Sequence, residues 1–254
     1  LGLLAMITLA LVYLFTRSRI RSIKEKEQLK TDFNKQLLSL EMKALRAQMN
    51  PHFIFNVMNA IQDFILKNDT KSAQKYLTKF ARLVRMILDN SLESEVLLND
   101  EIKANCLYVE LEQQRFGGKF DFVLEVDEEI ESLSLRIPPM LIQPFLENAI
   151  KHGIGHLETH GRLLLQVKII GNDLHIVVED NGVGRKAAME WNIHNIRDHN
   201  SFGSVLSVKR VEVLNAIMHT NISLEISDLF HANGGAAGTR VSLLFSELVQ
   251  EENI

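Results

Sequence analysis

The chain has 254 residues, of which 46% are hydrophobic, enough apolar side chain for one large folded domain or two smaller ones. Its 28 basic and 32 acidic residues give a net charge of −4 and form no basic stripe, so direct nucleic-acid binding is not expected. The single cysteine, Cys106, excludes an internal disulfide and a cysteine-based metal site.

The first fifteen residues carry no charge, and five basic residues follow at once: Arg17, Arg19, Arg21, Lys24 and Lys26. Basic residues flank the cytoplasmic side of membrane helices. Crossing a bilayer takes about 20 apolar residues, so residues 1–16 predict the end of a transmembrane helix. A buried core helix is the alternative.

Residues 22–48 contain neither glycine nor proline, and apolar residues recur every three or four positions, at Leu29, Phe33, Leu37, Leu40, Ala44 and Ala47. This spacing predicts a helix with one apolar stripe, which a second copy of the chain could cover. Asn50 and Pro51 interrupt the pattern because proline lacks an amide hydrogen and disfavours helical geometry in the residue before it. His52 should lie in the first turn after this break.

Two further helices are predicted on either side of a polar turn at residues 67–70. The second of them has an apolar side made of Ala73, Leu77, Phe80, Leu83, Val84 and Ile87. The two helices predict a hairpin, and two hairpins predict a four-helix bundle in a homodimer. Another helix is predicted over residues 99–116, before a boundary at Gly117 and Gly118.

Alternating runs then predict strands, namely FDFVLEV, RLLLQVKII, LHIVVED and two more over residues 222–227 and 240–245. Helices are predicted over residues 139–152 and 205–219. The fold class is therefore α+β, with a helical first part followed by a separate α/β sandwich.

Four segments contain candidate functional residues. His52 and Asn56 lie four residues apart on one helix face, and a neutral imidazole is a good nucleophile. Asn148, Lys151 and His152 lie near one helix end, where an amide oxygen can bind Mg²⁺ and a lysine can reach a phosphate.

The third segment follows a strand: Asp180 can accept from an exocyclic amine, and Gly182 and Gly184 let the backbone approach a nucleotide. The fourth is Gly203 before a helix, where backbone amides suit phosphate. Each segment alone is equally compatible with an ordinary polar turn or helix end.

Together and in this order, the segments resemble the LytS/YehU-like sensor histidine kinase family. The resemblance runs through LRAQMNPHFIFNVMNAI, LIQPFLENAIKHGI, DNGVG and the run from His199 to Arg210. It implies a Bergerat-type (GHKL) ATP-binding sandwich. It further implies four parts: a membrane helix (1–16), a signalling helix (17–48), a dimerising phosphoacceptor hairpin (49–98) and an ATP-binding domain (99–250).

By this resemblance, the protein autophosphorylates His52 from Mg-ATP and passes the phosphoryl group to an aspartate of a response regulator, of LytTR type in related systems. Asn148 would bind Mg²⁺, Lys151 and His152 would face the phosphates, and Asp180 would recognise adenine. The remaining pocket residues would be Gly182, Gly184, Gly203 and Thr239, with a mobile lid over residues 185–200. The protein would lie in the bacterial inner membrane with its kinase domains in the cytoplasm.

Two residues receive roles of their own. Many histidine kinases have an acid directly after the acceptor, but Phe53 stands there, so Glu147 is the candidate base as the nearest motif carboxylate. Asn56 is placed to orient a water in a phosphatase reaction. The rival functions are an ATPase or protein-serine kinase with the same sandwich, and a catalytically silent dimeric receptor with a nucleotide-binding switch domain.

Overall fold

The computed structural model describes residues 51–194, 203–218 and 220–249, together with the helical positions 2, 13, 16, 17, 19–21, 23, 24 and 26–28. The chain divides into two compact units, residues 1–47 and residues 48–254. The predicted membrane helix and the stripe from Leu29 to Ala47 lie outside the described residues, apart from positions 2, 13 and 16. No helix among those described has the length and apolar character that crossing a membrane requires.

The second unit begins with a helical hairpin of α1 (Pro51–Leu66) and α2 (Thr70–Leu92). The predicted turn between them is confirmed: Asn68 has a φ of 57°, and Asp69 caps α2 by accepting from the Ser72 amide at 3.1 Å. Because Pro51 is the first residue described after a gap, the predicted helix break at Asn50 and Pro51 stays a prediction.

One residue of the predicted apolar side of α2 was wrongly placed. Leu77 is 50% exposed, whereas its neighbour Tyr76 is fully buried. The Tyr76 hydroxyl donates to the Leu111 carbonyl at 3.3 Å and its ring packs against Phe64, so this face of α2 turns inward and Leu77 turns outward. The hairpin therefore keeps a second set of side chains that are at least half exposed, namely Phe55, Met58, Ile65, Leu66, Leu77, Leu88 and Leu92.

Helix α3 (Leu98–Arg115) joins the hairpin to the sandwich, because it packs against α1 and α2 and also against the first strand of the large sheet. It follows the short strand β1 (Val96–Leu97) and ends where Gly117 and Gly118 take positive φ values of 64° and 74°. The predicted helix over residues 99–116 is confirmed within a residue at each end.

The large sheet contains β2 (Phe120–Val126), β4 (Gly161–Ile170), β5 (Asp173–Asp180), β6 (Ile222–Phe230) and β7 (Ala236–Phe245). Its strand order is β2-β4-β5-β7-β6, and only the β2–β4 pair is parallel. Alternate side chains of β4 and β5 are buried, which is the pattern of a sheet covered on one face. The five predicted strands are confirmed, and the last two are longer than predicted. A two-residue strand, β3 (Arg136–Ile137), pairs with β1 outside this sheet.

The helical layer contains α4 (Glu128–Ser132), α5 (Gln143–Asn148), α6 (Gly184–His194) and α7 (Gly203–Met218). A π-helical turn (Ala149–Gly153) and a 3-10 turn (Ile154–His156) extend α5. The predicted helix over residues 139–152 was wrong at its start, because Met140 has a φ of 55° and the helix begins only at Gln143.

The predicted α+β class, a helical hairpin followed by an α/β sandwich, is confirmed. Helix α7 covers most of the helix predicted over residues 205–219. Residues 185–194 of the predicted lid belong to helix α6, which was not predicted, and residues 195–200 lie outside the described residues. The four-helix bundle involves a second chain and stays a prediction.

Candidate functional site

The candidate site is centred on Asp180, the last residue of β5, which is only 4% exposed. Its Oδ1 accepts the backbone N–H of Gly182 at 2.8 Å. Burial raises the pKa of this carboxyl to about 7, and hydrogen bonds from the N–H groups of Gly182 and Thr239 oppose the rise. Asp180 is therefore a buried acceptor whose charge changes close to neutral pH.

Three glycines lie against the side chain or the backbone of Asp180, and each lacks room for a side chain. A Cβ on Gly153 would lie 2.6 Å from Asp180 Oδ1, and a Cβ on Gly182 would overlap the Gly153 backbone. Gly238 has a φ of 122°, and a Cβ there would overlap the Asp180 carbonyl. Bare backbone from two sequence-distant segments, at Gly153 and Gly238, therefore meets the turn that runs from Asp180 to Gly182. Gly153 was not predicted as a site residue, although it ends the run ENAIKHG.

The predicted metal and phosphate residues lie beside this point on α5 and its π-helical extension. Asn148 ends α5, and its half-buried side chain has no hydrogen bond within the described part of the chain. Lys151 and His152 are half-buried residues of the π-helical turn, which contacts β5, β7 and α6. The turn is tied to the Asp180 loop because the Val183 N–H donates to the Gly153 carbonyl at 3.3 Å. Wide turns of this kind often occur at functional sites.

The remaining predicted pocket residues lie on neighbouring elements. Gly184 begins α6 with a φ of 79°, and a Cβ there would lie 3.0 Å from the Ala236 Cβ. Thr239 pairs with Asp180 across β5 and β7. Gly203 is the first described residue of α7, which packs against α5 and β6.

The candidate acceptor segment reaches the sandwich through α3. His52 and Asn56 lie on α1, and the Phe53 ring between them contacts Phe80 of α2 and Tyr108 of α3, with the Tyr108 centroid 5.1 Å away. Burial raises the pKa of Tyr108 well above its usual value, and the charge of Glu147 adds to the effect. Helix α1 and the segment that ends at Asn148 thus both approach Tyr108.

The polar groups at this site have the chemistry to contact a nucleotide. A buried carboxylate beside bare backbone can accept a hydrogen bond from an amino group on a flat ring. Among the described residues, no cluster of three or more His, Cys, Asp or Glu side chains could hold a metal ion. The free amide oxygen of Asn148 suits a Mg²⁺ ion that phosphates and water also hold.

Comparison with known proteins adds an independent observation. Residues 40–120 match the model of a family described as histidine kinase. The chain is 33% identical over 151 residues to the sensor protein LytS of Enterococcus faecalis, covering 59% of this chain and 25% of that protein. It is 34% identical over 162 residues to the sensor histidine kinase YpdA of Escherichia coli, covering 64% of this chain and 27% of that protein.

A third relative is the sensor histidine kinase/phosphatase LytS of Staphylococcus aureus, 33% identical over 152 residues, which are 59% of this chain and 26% of that protein. The chain thus spans about a quarter of the length of these relatives. Among solved structures, the mycobacterial sensor histidine kinase MprB aligns with 59% of this chain and 95% of its own, at a TM-score of 0.39 and 16% identity. A bacterial phosphotransferase aligns with 83% of this chain and 96% of its own, at a TM-score of 0.41 and 14% identity.

Proposed function

The resemblance to LytS-like sensor histidine kinases is confirmed, and from this premise we propose that the chain transfers the γ-phosphoryl group of Mg-ATP to His52 and then to an aspartate of a response regulator. The observation that carries the proposal is the buried Asp180 carboxyl, which lies against Gly153 and Gly182, while Gly238 packs against the Asp180 backbone. The carboxyl would accept a hydrogen bond from the adenine amino group, and the glycines would let the backbone approach the nucleotide closely. Thr239 and Gly184 complete the proposed adenine end.

The proposed phosphate end is the π-helical turn. Asn148 would supply an oxygen to Mg²⁺, and Lys151 and His152 would neutralise phosphate charge. Gly203, at the start of α7, would present backbone amides to the phosphates. Phosphoryl transfer needs positioning and charge neutralisation more than covalent help, so this small set of groups is sufficient.

In the proposed reaction, a nitrogen of the neutral His52 imidazole attacks the γ-phosphorus, the N–P bond forms and the bond to the ADP oxygen breaks. The imidazole proton must leave, and Glu147 is the proposed acceptor. Support for Glu147 comes from its neighbourhood: Gln143 donates to Glu147 Oε1 at 2.9 Å. The charge of Glu147 acts on Tyr108, whose ring contacts Phe53, the residue after His52.

The partners follow from the same proposal. The exposed apolar side chains of the hairpin, including Phe55 and Leu88, support a homodimer that pairs two hairpins into a four-helix bundle. The proposed domains keep the predicted boundaries 1–16, 17–48, 49–98 and 99–250, with the membrane helix in the first and the regulator, of LytTR type, docking near His52. One relative's name includes a phosphatase, which supports a second role for Asn56 in orienting water against a phosphorylated regulator.

The direct test is incubation of the purified protein with Mg²⁺ and γ-labelled ATP. We expect acid-labile, alkali-stable label on the wild type, and loss of label in His52→Ala and in Asn148→Ala. The matched control is His160→Ala, which removes an exposed histidine whose side chain faces Asp121 at 3.2 Å, and this variant should be labelled like the wild type.

The alternatives give different outcomes. Label that survives His52→Ala would refute the assignment of the acceptor and would favour a protein-serine kinase. ATP hydrolysis without label would favour an ATPase. Nucleotide binding with neither reaction would favour the silent dimeric receptor.

A further inference from the structure

A buried polar cluster lies away from Asp180, between α3, α7 and the turn before α5. It consists of Glu101 and Asn105 on α3 and Arg210 on α7, which are 2%, 2% and 9% exposed. Charged side chains are rarely buried to this degree unless they are paired and hydrogen-bonded. None of these residues takes part in the reaction proposed above.

Glu101 holds the start of α5. Its Oε2 accepts the Met140 N–H at 3.0 Å and its Oε1 accepts the Ile142 N–H at 3.4 Å. Met140 is the residue with a φ of 55°, and Ile142 directly precedes α5 and provides no side-chain cap of its own. A carboxylate from another helix therefore satisfies amide groups that the entry to α5 leaves free.

Arg210 holds the same turn through another of its residues. Its Nη2 donates to the Pro139 carbonyl at 2.9 Å. Burial raises the pKa of the Glu101 carboxyl, while its hydrogen bonds and the positive charge of Arg210 oppose that rise. Asn105 restrains Glu101 in turn, since its Nδ2 lies 3.3 Å from Glu101 Oε1 and 2.8 Å from the Glu101 carbonyl.

The two elements fixed in this way carry the two ends of the proposed phosphate site. Helix α5 leads to Asn148 and the π-helical turn, and α7 begins at Gly203. We propose, resting on the nucleotide-binding function above, that Glu101 and Arg210 are positioning residues that set α5 and α7 at the spacing required by Mg-ATP. They act through the turn at residues 139–142, without touching the nucleotide.

The same pair links the nucleotide site to the hairpin. Glu101 lies on α3, and α3 packs against both α1 and α2. A displacement of the hairpin that moves α3 would also move Glu101. Because Glu101 accepts from the N–H groups of Met140 and Ile142, the start of α5 would move with it. Equally, nucleotide binding that moves α7 toward α5 would strain the hydrogen bond from Arg210 to the Pro139 carbonyl.

The test compares Arg210→Lys and Glu101→Gln with the matched control Glu112→Gln. Arg210→Lys keeps the charge but loses the planar fork, and Glu101→Gln places an N–H donor where a backbone N–H needs an acceptor. Glu112 is also a buried carboxylate of α3, 3% exposed, but it pairs with Arg115 at 2.6 Å instead of the turn. All three variants should lower the melting temperature of the nucleotide-free protein.

Two readouts separate positioning from stability. Amide hydrogen exchange over residues 140–153 of the nucleotide-free full chain should accelerate about tenfold in Arg210→Lys, and calorimetric Mg-ATP affinity should fall about tenfold in Arg210→Lys and Glu101→Gln. Glu112→Gln should leave both quantities within about twofold of the wild type.

The inference is overturned if the wild type binds Mg-ATP while Arg210→Lys matches it in both exchange and affinity. It is also overturned if Glu112→Gln weakens Mg-ATP binding as much as Glu101→Gln does. A wild type that fails to bind Mg-ATP overturns the proposed function and this inference together, and that result cannot be confused with the first two.

Discussion

The substitution Asp180→Asn should make the nucleotide-free protein less sensitive to pH. The folded-state pKa of Asp180 is raised from 3.8 to about 7, so folding disfavours the charged carboxylate. Its contribution to the free energy of unfolding is therefore fully present below pH 3.8 and is lost as the pH rises through about 7. Asparagine cannot titrate, so Asp180→Asn removes this dependence.

The size of the effect follows from about 1.4 kcal/mol per pKa unit. Between pH 5 and pH 8, Asp180 alone should lower the free energy of unfolding of the wild type by roughly 2.5 kcal/mol. Urea denaturation of the nucleotide-free protein at pH 5, 6, 7 and 8 measures it. As the pH rises from 5 to 8, the free energy of unfolding of the wild type should fall by that amount relative to that of Asp180→Asn.

The exposed carboxylate of Asp89 on α2 provides the matched control, because Asp89→Asn removes a charge that is not buried. Its unfolding free energy should follow that of the wild type at each pH. Parallel curves for the wild type and Asp180→Asn would refute the reasoning about burial. Under the proposed function, saturating Mg-ATP should stabilise the wild type more than Asp180→Asn, because the variant lacks the proposed acceptor for the adenine amino group.

Three further predictions concern the glycines, the aromatic contact and the exposed hairpin face. Gly182→Ala should lower the free energy of unfolding by about 3 kcal/mol in urea denaturation and weaken ATP binding, because its Cβ would overlap the Gly153 backbone. The control Gly171→Ala should lower it by only about 1 kcal/mol, because Gly171 has open space around it and a φ of 63°. Phe53→Ala should lower the free energy of unfolding by about 2 kcal/mol through loss of ring packing. The control Phe55→Ala, at a side chain that is 69% exposed, should lower it by about 0.5 kcal/mol or less in the monomer. Equal losses in the two variants would contradict the aromatic contact. Leu88→Glu should raise the dimer dissociation constant about 100-fold in sedimentation equilibrium, while Ile170→Glu, an equally exposed site on β4, should leave it unchanged.

Local patterns in the sequence predicted most of the secondary structure, because each depends on neighbouring residues alone. The strand at residues 120–126 was predicted at both ends from its alternation, and β4 and β5 within one residue. The parallel pairing of β2 with β4 was not predicted, since pairing depends on the whole chain. The late start of α5 was missed because the left-handed Met140 is stabilised by Glu101, which is distant in sequence.

In the candidate site too, some residues could be predicted from a local motif, whereas others depend on contacts that form only in the folded chain. Gly182, Gly184 and Asp180 were identified from a short motif, but Gly153 was missed because its contact with Asp180 exists only in the folded chain. Glu101 was missed because a glutamate in an amphipathic helix is expected on the solvent face. Similarly, an apolar stripe does not reveal which of two faces packs inside the chain, and so Leu77 was placed on the wrong side.

The pairing of β7 with β5 determines when during synthesis the pocket can form. Asp180 leaves the ribosome long before Gly238 and Thr239, yet Gly238 packs against the Asp180 backbone and the Thr239 N–H donates to the Asp180 carboxyl. Until then, the acidic group lies at an unpaired strand edge, with no enclosed place for an adenine ring. Under the proposed function, a nascent chain should therefore be unable to bind ATP until β7 has emerged.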